Sequence, residues 1–144
     1  MQAAPVDYAC SAFGGEVIKA TNEHYGPAAQ VISPYPPINM FDGMESARSR
    51  KPGHYEEVTI KLGKKIKPGR VVLDFKYFVN NNPRDVEILG LNNGVWETLA
   101  GPFPVKPFAA NKRQIQLDVK FTTDQVKVRT LPDGGINRVH VYET

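Results

Sequence analysis

The residues best suited to chemistry are concentrated between positions 41 and 54, in the run FDGMESARSRKPGH. A guanidinium group can bind a carboxylate through two parallel hydrogen bonds, and a histidine titrates near neutral pH and can therefore exchange protons. The run offers both kinds of group together with carboxylates: Asp42, Glu45, Arg48, Arg50 and His54. Such a set predicts a site for a small polar molecule, and composition alone equally allows a solvated loop.

A second candidate is the run LPDGGINRVHVY near the end of the chain. Pro-Asp-Gly-Gly is a turn signal, and the residues after it alternate as a strand does. The alternation puts Val139 and Val141 on one face and Ile136, Arg138 and His140 on the other. If the valines face the core, Arg138 points away from it, so the run is either an ordinary turn and strand or a mount for Arg138.

Metal and phosphate motifs are missing from the sequence. There is no HxH, HExxH or CxxC, and His24, His54 and His140 lie far apart. No cofactor is therefore predicted, and spacing gives a divalent metal no support. There is also no GxSxG elbow and no glycine-rich phosphate loop, and we expect Cys10 to be a bystander rather than a nucleophile.

The elements that must position these groups are strands. Alternation of apolar and polar residues predicts an antiparallel sheet with one wet side, and Gly and Pro, 12 of each, punctuate the runs. The predicted strands are 56–62, 70–78, 85–91, 94–100, 113–121 and 125–131. Short strands between turn signals indicate an all-β, jelly-roll β-sandwich without long helices.

The strand pattern lapses between residues 20 and 57. Loops of that length are uncommon in compact domains and are often functional. Pro34, Pro36 and Pro37 hold part of the segment extended, and proline cannot contribute its nitrogen to a sheet. We therefore predict a long loop that carries the first polar cluster.

Length and charge limit the classes of partner. A chain of 144 residues fits a single domain over 1–144. The net charge is only +3, and the one dense basic run, KLGKKIKPGR (61–70), is interpreted as a Lys-rich turn around Gly63 and Pro68-Gly69. No aromatic residues interleave that run, so we expect no nucleic-acid partner.

Neither a membrane nor secretion is expected. No stretch approaches the roughly 18 apolar residues of a membrane span. The start, MQAAPVDYACSAFGG, shows no signal-peptide pattern, and the single cysteine fits a reducing compartment. The expected location is the cytoplasm.

Four blocks of the chain, in order, resemble one repeat of the allantoicase family. They are FGGEVIKATNEHYGPAAQVI, FDGMESARSRKPGHYEEVTIKLG, VVLDFKYFVNNNP and LPDGGINRVHVY, and the resemblance runs over about 13–142. It implies a galactose-binding-domain-like jelly roll that hydrolyses allantoate to ureidoglycolate and urea, in purine (allantoin) catabolism. Family members normally carry two repeats, so the resemblance also implies a homo-oligomer or a partner that supplies the second repeat.

The implied substrate, a carboxylate with two ureido groups, gives the candidate residues their roles. Arginines would hold the carboxylate, carboxylates or amides would accept from the ureido N–H groups, and a base and an acid would move protons. The catalytic candidates are Glu45 and His54, and the substrate-binding candidates are Asp42, Arg48, Arg50, Asn81 and Arg138. The competing interpretation of Arg48 and Arg50 is a structural ion pair with Asp74 or Glu45, and that of Asp42 is a turn residue.

The blocks also depart from the family pattern. Met44 stands where the family has Trp, Tyr55 replaces Asp, Asn80 replaces Gly, and His140 occupies a position that is commonly Arg. These departures leave two alternatives to catalysis: a carbohydrate- or ligand-binding module, or a lapsed repeat that regulates a partner enzyme. Loop aromatics that could support glycan binding are Tyr35, Phe41 and Tyr55.

Overall fold

A computed structural model describes residues 5–21, 27–37, 43–45, 53–75, 83–105 and 112–144. These residues form an all-β domain with two short 3-10 helices, Ser11–Phe13 and Ala28–Ile32. The strands are β1 (Glu16–Ala20), β2 (Met44–Glu45), β3 (Glu56–Ile66), β4 (Pro68–Asp74), β5 (Asp85–Asn92), β6 (Val95–Pro104), β7 (Lys112–Gln116), β8 (Thr123–Leu131), β9 (Gly135–Ile136) and β10 (Arg138–Glu143). No helix in the described ranges is long and apolar enough to cross a membrane.

Two antiparallel sheets form the layers of the sandwich. The larger sheet has the order β1-β3-β8-β5-β6 and the smaller one β10-β4-β7, while β2 and β9 form a separate pair. The predicted jelly-roll β-sandwich is therefore confirmed. The predicted strands 85–91, 94–100 and 125–131 correspond to β5, β6 and β8.

The core lies between the two sheets and follows the alternation of the sequence. Every second residue of the central strands is apolar and buried, so each strand presents one face to the facing sheet. The fully buried side chains include Val58, Ile60, Leu73, Val71, Val86, Ile88, Val126, Val128, Val139 and Val141. Burial of each such side chain contributes roughly 1.5–3 kcal/mol.

Several strand boundaries differ from the prediction: β4 is Pro68–Asp74 rather than 70–78, β6 is Val95–Pro104 rather than 94–100, and two further differences have a structural reason. The prediction of a Lys-rich turn around Gly63 is wrong. Strand β3 continues through Gly63 to Ile66, and only one residue separates it from β4. Gly63 is needed for close approach instead: its N–H donates to the carbonyl of Tyr8, and a Cβ there would lie 1.9 Å from the carbonyl oxygen of Phe13. The predicted strand 113–121 ends at Gln116, and beyond it the exposed side chains of Asp118 and Lys120 pair with each other at 2.9 Å.

The segment that was predicted as a long loop has structure of its own. Strand β1 lies just before it and pairs with β3, and it was not among the predicted strands. Within it, the 3-10 helix Ala28–Ile32 buries Ala28, Val31 and Ile32 against the core. These three apolar residues therefore belong to the core of the sandwich.

The run LPDGGINRVHVY does not close a hairpin, because β8 and β10 belong to different sheets. It crosses between the layers, and Asn137 breaks the alternation between β9 and β10. The predicted outward face is consequently wrong for two residues. Ile136 is fully buried, and Arg138 is only 4% exposed.

Candidate functional site

One end of the sandwich collects the segments that carry the polar blocks. β4 and β8 end there, and β3, β5 and β10 begin there, as the pairs Glu56 with Thr130, Asp85 with Leu131, and Arg138 with Asp74 show. The crossing segment 132–137 joins the two sheets at this end. Groups from distant parts of the chain are thereby brought together.

The strand pair β2–β9 joins two of the runs singled out in the sequence. Strand β2 lies in FDGMESARSRKPGH and β9 lies in LPDGGINRVHVY. Met44 is opposite Ile136 and Glu45 is opposite Gly135. Gly43 makes this approach possible, because a Cβ at that position would lie 2.4 Å from the carbonyl oxygen of Ile136 and 2.6 Å from the Cα of Asn137. The register of β2 and β9 therefore places the backbone of Glu45 opposite Gly135, which lies three positions before Arg138 in the chain.

Arg138 begins β10 and is held by backbone carbonyls. Its Nε donates to the carbonyl oxygen of Tyr35 at 2.9 Å, and one terminal nitrogen donates to that of Asn137 at 2.7 Å. Its register partner Asp74 is 2% exposed, and the Asp74 carbonyl accepts from the N–H of Asn137 at 2.7 Å. A buried guanidinium requires such partners, and they fix its plane.

A pocket opens beside Arg138. It has a volume of about 290 Å³ and is lined by residues 33–37 together with Asp74, Arg138 and His140. The prolines of the loop form one wall, and the polar groups of β4 and β10 form the other. An apolar wall that faces a few fixed polar groups is the usual composition of a small-molecule site.

His140 is oriented by a residue from the start of the described chain. Its Nδ1 lies 2.7 Å from Oδ2 of Asp7. The other oxygen of Asp7, Oδ1, accepts from the backbone N–H groups of Val141 at 2.9 Å and Ala9 at 3.0 Å. The two backbone N–H groups therefore hold the Asp7 carboxylate in the orientation in which it contacts the imidazole.

The ring of Tyr142 lies beside the ring of His140. The two rings are stacked with centroids 6.4 Å apart, and the Arg70 guanidinium lies 4.3 Å from the centre of the Tyr142 ring. Burial raises the pKa of the Tyr142 phenol above its usual value, and the neighbouring Asp7 carboxylate raises it further.

His54 also pairs with a carboxylate. Its Nε2 lies 2.6 Å from Oε1 of Glu56, and the hydroxyl of Thr21 donates to the other oxygen of Glu56. Glu56 is 7% exposed, so this pair is well fixed at the start of β3. His54 is not among the described residues that line the pocket beside Arg138.

The structure describes only part of the predicted site. Arg138 lies in the wall of the pocket, His54 lies at the same end of the sandwich, and Glu45 is placed by its backbone alone. The other substrate-binding candidates fall outside the described residues: Asp42, Arg48, Arg50 and Asn81. Their roles therefore remain predictions, as do the competing ion pairs of Arg48 and Arg50.

The pocket also contains residues that are not among the predicted site residues. The sequence marks Asp74 as an ion-pair partner, Tyr35 as a loop aromatic, and His140 as a neighbour of Arg138 on one strand face and a departure from the family pattern. Asp7, which contacts His140 from outside the pocket lining, has no sequence signal, because 133 positions separate the two residues. Within the described ranges no three His, Cys, Asp or Glu side chains are arranged to hold a metal ion.

Comparison with known proteins identifies the family of this chain. The profile of the allantoicase repeat matches residues 6–144. A probable allantoicase of Schizosaccharomyces pombe is 30% identical over 96% of this chain and 43% of its own length. The crystal structure of Saccharomyces cerevisiae allantoicase superposes with a TM-score of 0.89 at 26% identity, over 96% of this chain and 43% of that one.

The wider fold is shared with sugar-binding modules. A family 32 carbohydrate-binding module from Streptococcus pneumoniae superposes with a TM-score of 0.70 at 19% identity, over 96% of this chain and all of that one. At this identity the likeness shows the galactose-binding-like fold alone. The chain spans less than half the length of the curated allantoicases that it matches. With the family profile matched over nearly its whole length, the chain belongs to the allantoicase repeat family.

Proposed function

We propose that this protein hydrolyses allantoate to ureidoglycolate and urea. The observation that carries the proposal is the buried Arg138. It lies in the wall of a pocket, at the end of the sandwich where β4 and β8 end. It begins the strand that follows the LPDGG block, one of the blocks that resemble the allantoicase repeat.

The pocket suits the substrate in size and in chemistry. Allantoate has roughly a dozen non-hydrogen atoms, and about 290 Å³ is at the lower end of the volumes of small-molecule sites. Arg138 supplies a fixed cation for the substrate carboxylate, and Asp74 supplies an acceptor for ureido N–H groups. The exposed ring of Tyr35 can cover the substrate on the loop side.

The remaining sequence candidates complete this proposal. Arg48 and Arg50 would share the carboxylate with Arg138, Asp42 and Asn81 would accept from the ureido groups, and Glu45 and His54 are the candidates for proton transfer. We propose that the enzyme acts in the cytoplasm without a cofactor, as a homo-oligomer or with a partner that supplies a second repeat.

The experiment is an assay of urea released from allantoate by the purified protein. We expect release by the wild type, and its loss in Arg138→Ala while thermal unfolding shows that the variant is folded. Arg84→Ala is the matched control, because the Arg84 side chain is 76% exposed and its ion pair among the described residues is with the neighbouring Asp85. Absence of urea at high protein concentration, with and without divalent metals, would overturn the proposal.

A second candidate function is binding without catalysis, and the observation that favours it is Tyr35. This side chain is 75% exposed and lines the pocket, as an aromatic platform for a sugar ring would. Titration with galactose and related sugars tests this function. Saturable binding that Tyr35→Ala abolishes, in a protein that releases no urea, would favour the binding module over the hydrolase.

A further inference from the structure

We propose that His140, oriented by Asp7, is the group that transfers protons in the reaction. This inference rests on the proposed function, since it names the acid and base of that same pocket. It does not use the catalytic pair suggested by the sequence, and it assigns a role to Asp7, which no sequence motif marked.

The first argument is the way in which Asp7 is held. Both of its oxygens are engaged: Oδ1 by the N–H groups of Ala9 and Val141, and Oδ2 by Nδ1 of His140 at 2.7 Å. The backbone of the same segment is tied to β10, because the N–H of Tyr8 donates to the carbonyl of Val141 at 2.9 Å. A carboxylate fixed in this way sets the tautomer of its histidine, with Nδ1 as the donor.

The second argument is the position of the imidazole. With Nδ1 bound to Asp7, Nε2 is the nitrogen that can meet a bound molecule, and His140 is part of the pocket lining next to Arg138. The ring of Tyr142 is stacked beside that of His140, with the two centroids 6.4 Å apart. A histidine that is fixed by a carboxylate at one nitrogen and open to a pocket at the other has the geometry of a general base.

The chemistry then follows a balanced path. Nε2 of His140 accepts a proton from water, whose oxygen forms a bond to the central carbon of allantoate. The bond from that carbon to one ureido nitrogen breaks, and its electron pair stays on the nitrogen. The imidazolium returns the proton to this nitrogen, so that urea and ureidoglycolate leave and His140 is neutral again.

Charged groups surround the ring. Asp7 is bound at Nδ1, and Arg138 lies in the wall of the same pocket. Among the described residues, the other charged or titratable groups near the ring include Asp74, which lines the pocket, and Tyr142, which lies under Arg70. His54 is also paired with a carboxylate, but through Nε2, and it does not contribute to the described lining of this pocket.

The test compares the kinetics of urea release in His140→Gln and His54→Gln. Glutamine can keep a hydrogen bond to Asp7, so we expect His140→Gln to stay folded. General acid–base catalysis contributes about 10²- to 10⁴-fold, and we expect kcat to fall within that range with a smaller change in KM. If His140 is the base, the acidic limb of the kcat/KM profile should disappear in His140→Gln.

A second pair of variants addresses the role of Asp7. Asp7→Asn should lower kcat at least about 10-fold through its effect on His140, whereas Asp118→Asn, at a carboxylate 87% exposed beyond the far end of β7, should change nothing. Added imidazole should restore part of the activity of His140→Ala and none of that of Arg138→Ala. Such rescue would not occur if His140 were only structural.

The outcomes separate the two proposals. If wild type releases no urea, the proposed function fails and this inference fails with it. If wild type is active but His140→Gln keeps its kcat and its acidic limb, the inference alone is overturned. It is equally overturned if the limb disappears in His54→Gln and survives in His140→Gln.

Discussion

The Arg138 guanidinium donates from Nε to the carbonyl oxygen of Tyr35 at 2.9 Å, across 103 positions of the chain. This bond ties the proline-rich loop to the first residue of β10, so the two walls of the pocket are joined at one side chain. The same guanidinium donates to the carbonyl of Asn137. Arg138 therefore shapes the pocket as well as lining it.

The first prediction concerns Arg138→Lys. A lysine keeps the charge but has no planar fork, so it cannot hold both carbonyls and also present two parallel donors to a carboxylate. We expect the KM for allantoate to rise about 10-fold or more, with a stability loss of about 1–3 kcal/mol. Steady-state urea release and thermal unfolding measure the two effects.

The control for this substitution is Arg84→Lys, where the exposed side chain forms an ion pair with its neighbour Asp85. It should leave both KM and stability unchanged. An Arg138→Lys protein with the KM of wild type would show that charge alone is sufficient, and would contradict the role given to the guanidinium plane.

The second prediction concerns the contact that joins β2 to β9. In Gly43→Ala the new Cβ would lie 2.4 Å from the backbone oxygen of Ile136, which cannot give way as a side chain can. We expect a stability loss of about 1–3 kcal/mol, as for other overpacked sites, and a larger relative loss of activity, because the pair also positions Glu45. Gly90→Ala is the matched control, since its Cβ would meet only the flexible end of Leu99. Equal effects of the two substitutions on activity would contradict this account.

Alternation in the sequence predicted the sandwich because burial on one face of a strand is a local property. Val126 and Val128 could be assigned to the core from their spacing alone, and they are fully buried. Gly63 was misread as a turn because nothing local reveals that the N-terminal segment crosses β3 there. Its small size serves a contact between distant segments.

The candidate site was predictable to the extent that its residues lie in recognisable blocks. Arg138 was found through the LPDGG run, although its burial was not, because Asn137 shifts the phase of the strand. The contact of His140 with Asp7 depends on the docking of the first residues beside β10, which no local pattern reports. Tertiary contacts of this kind are visible only in the folded chain.

The third prediction concerns the outer face of the larger sheet. Arg129 bridges two carboxylates on neighbouring strands, at 2.7 Å from Glu57 and 2.9 Å from Glu87, under the ring of Tyr55. Arg129→Met would remove the cation between these two half-buried carboxylates, so that Glu57 keeps Lys127 at 3.6 Å and Glu87 loses its ion pair with Arg129. We expect a loss of about 1–3 kcal/mol in the free energy of unfolding, between the values for exposed and for buried pairs.

Two further variants test whether charge causes that loss. Adding Glu57→Gln to Arg129→Met should recover part of the stability, because it removes the repulsion between the carboxylates. Lys120→Ala, which breaks the exposed pair with Asp118, should have no measurable effect in urea unfolding. If the double variant were no more stable than Arg129→Met, lost packing rather than charge would explain the change.

The fourth prediction concerns Tyr142 at alkaline pH. Burial and the Asp7 carboxylate raise its pKa, so the folded protein keeps the phenolic proton to a higher pH than the unfolded chain does. The stability linked to this proton is complete below about pH 10 and is lost as the pH rises through the folded pKa. Urea unfolding of wild type between about pH 9 and 11 should therefore show stability that declines more steeply than in Tyr142→Phe. The difference between the two proteins at pH 7 gives the packing effect of the hydroxyl and is subtracted. If stability declined equally with pH in wild type and Tyr142→Phe, the phenol would be as accessible to water in the folded protein as in the unfolded chain. That result would contradict the partial burial of Tyr142 between Arg70 and His140.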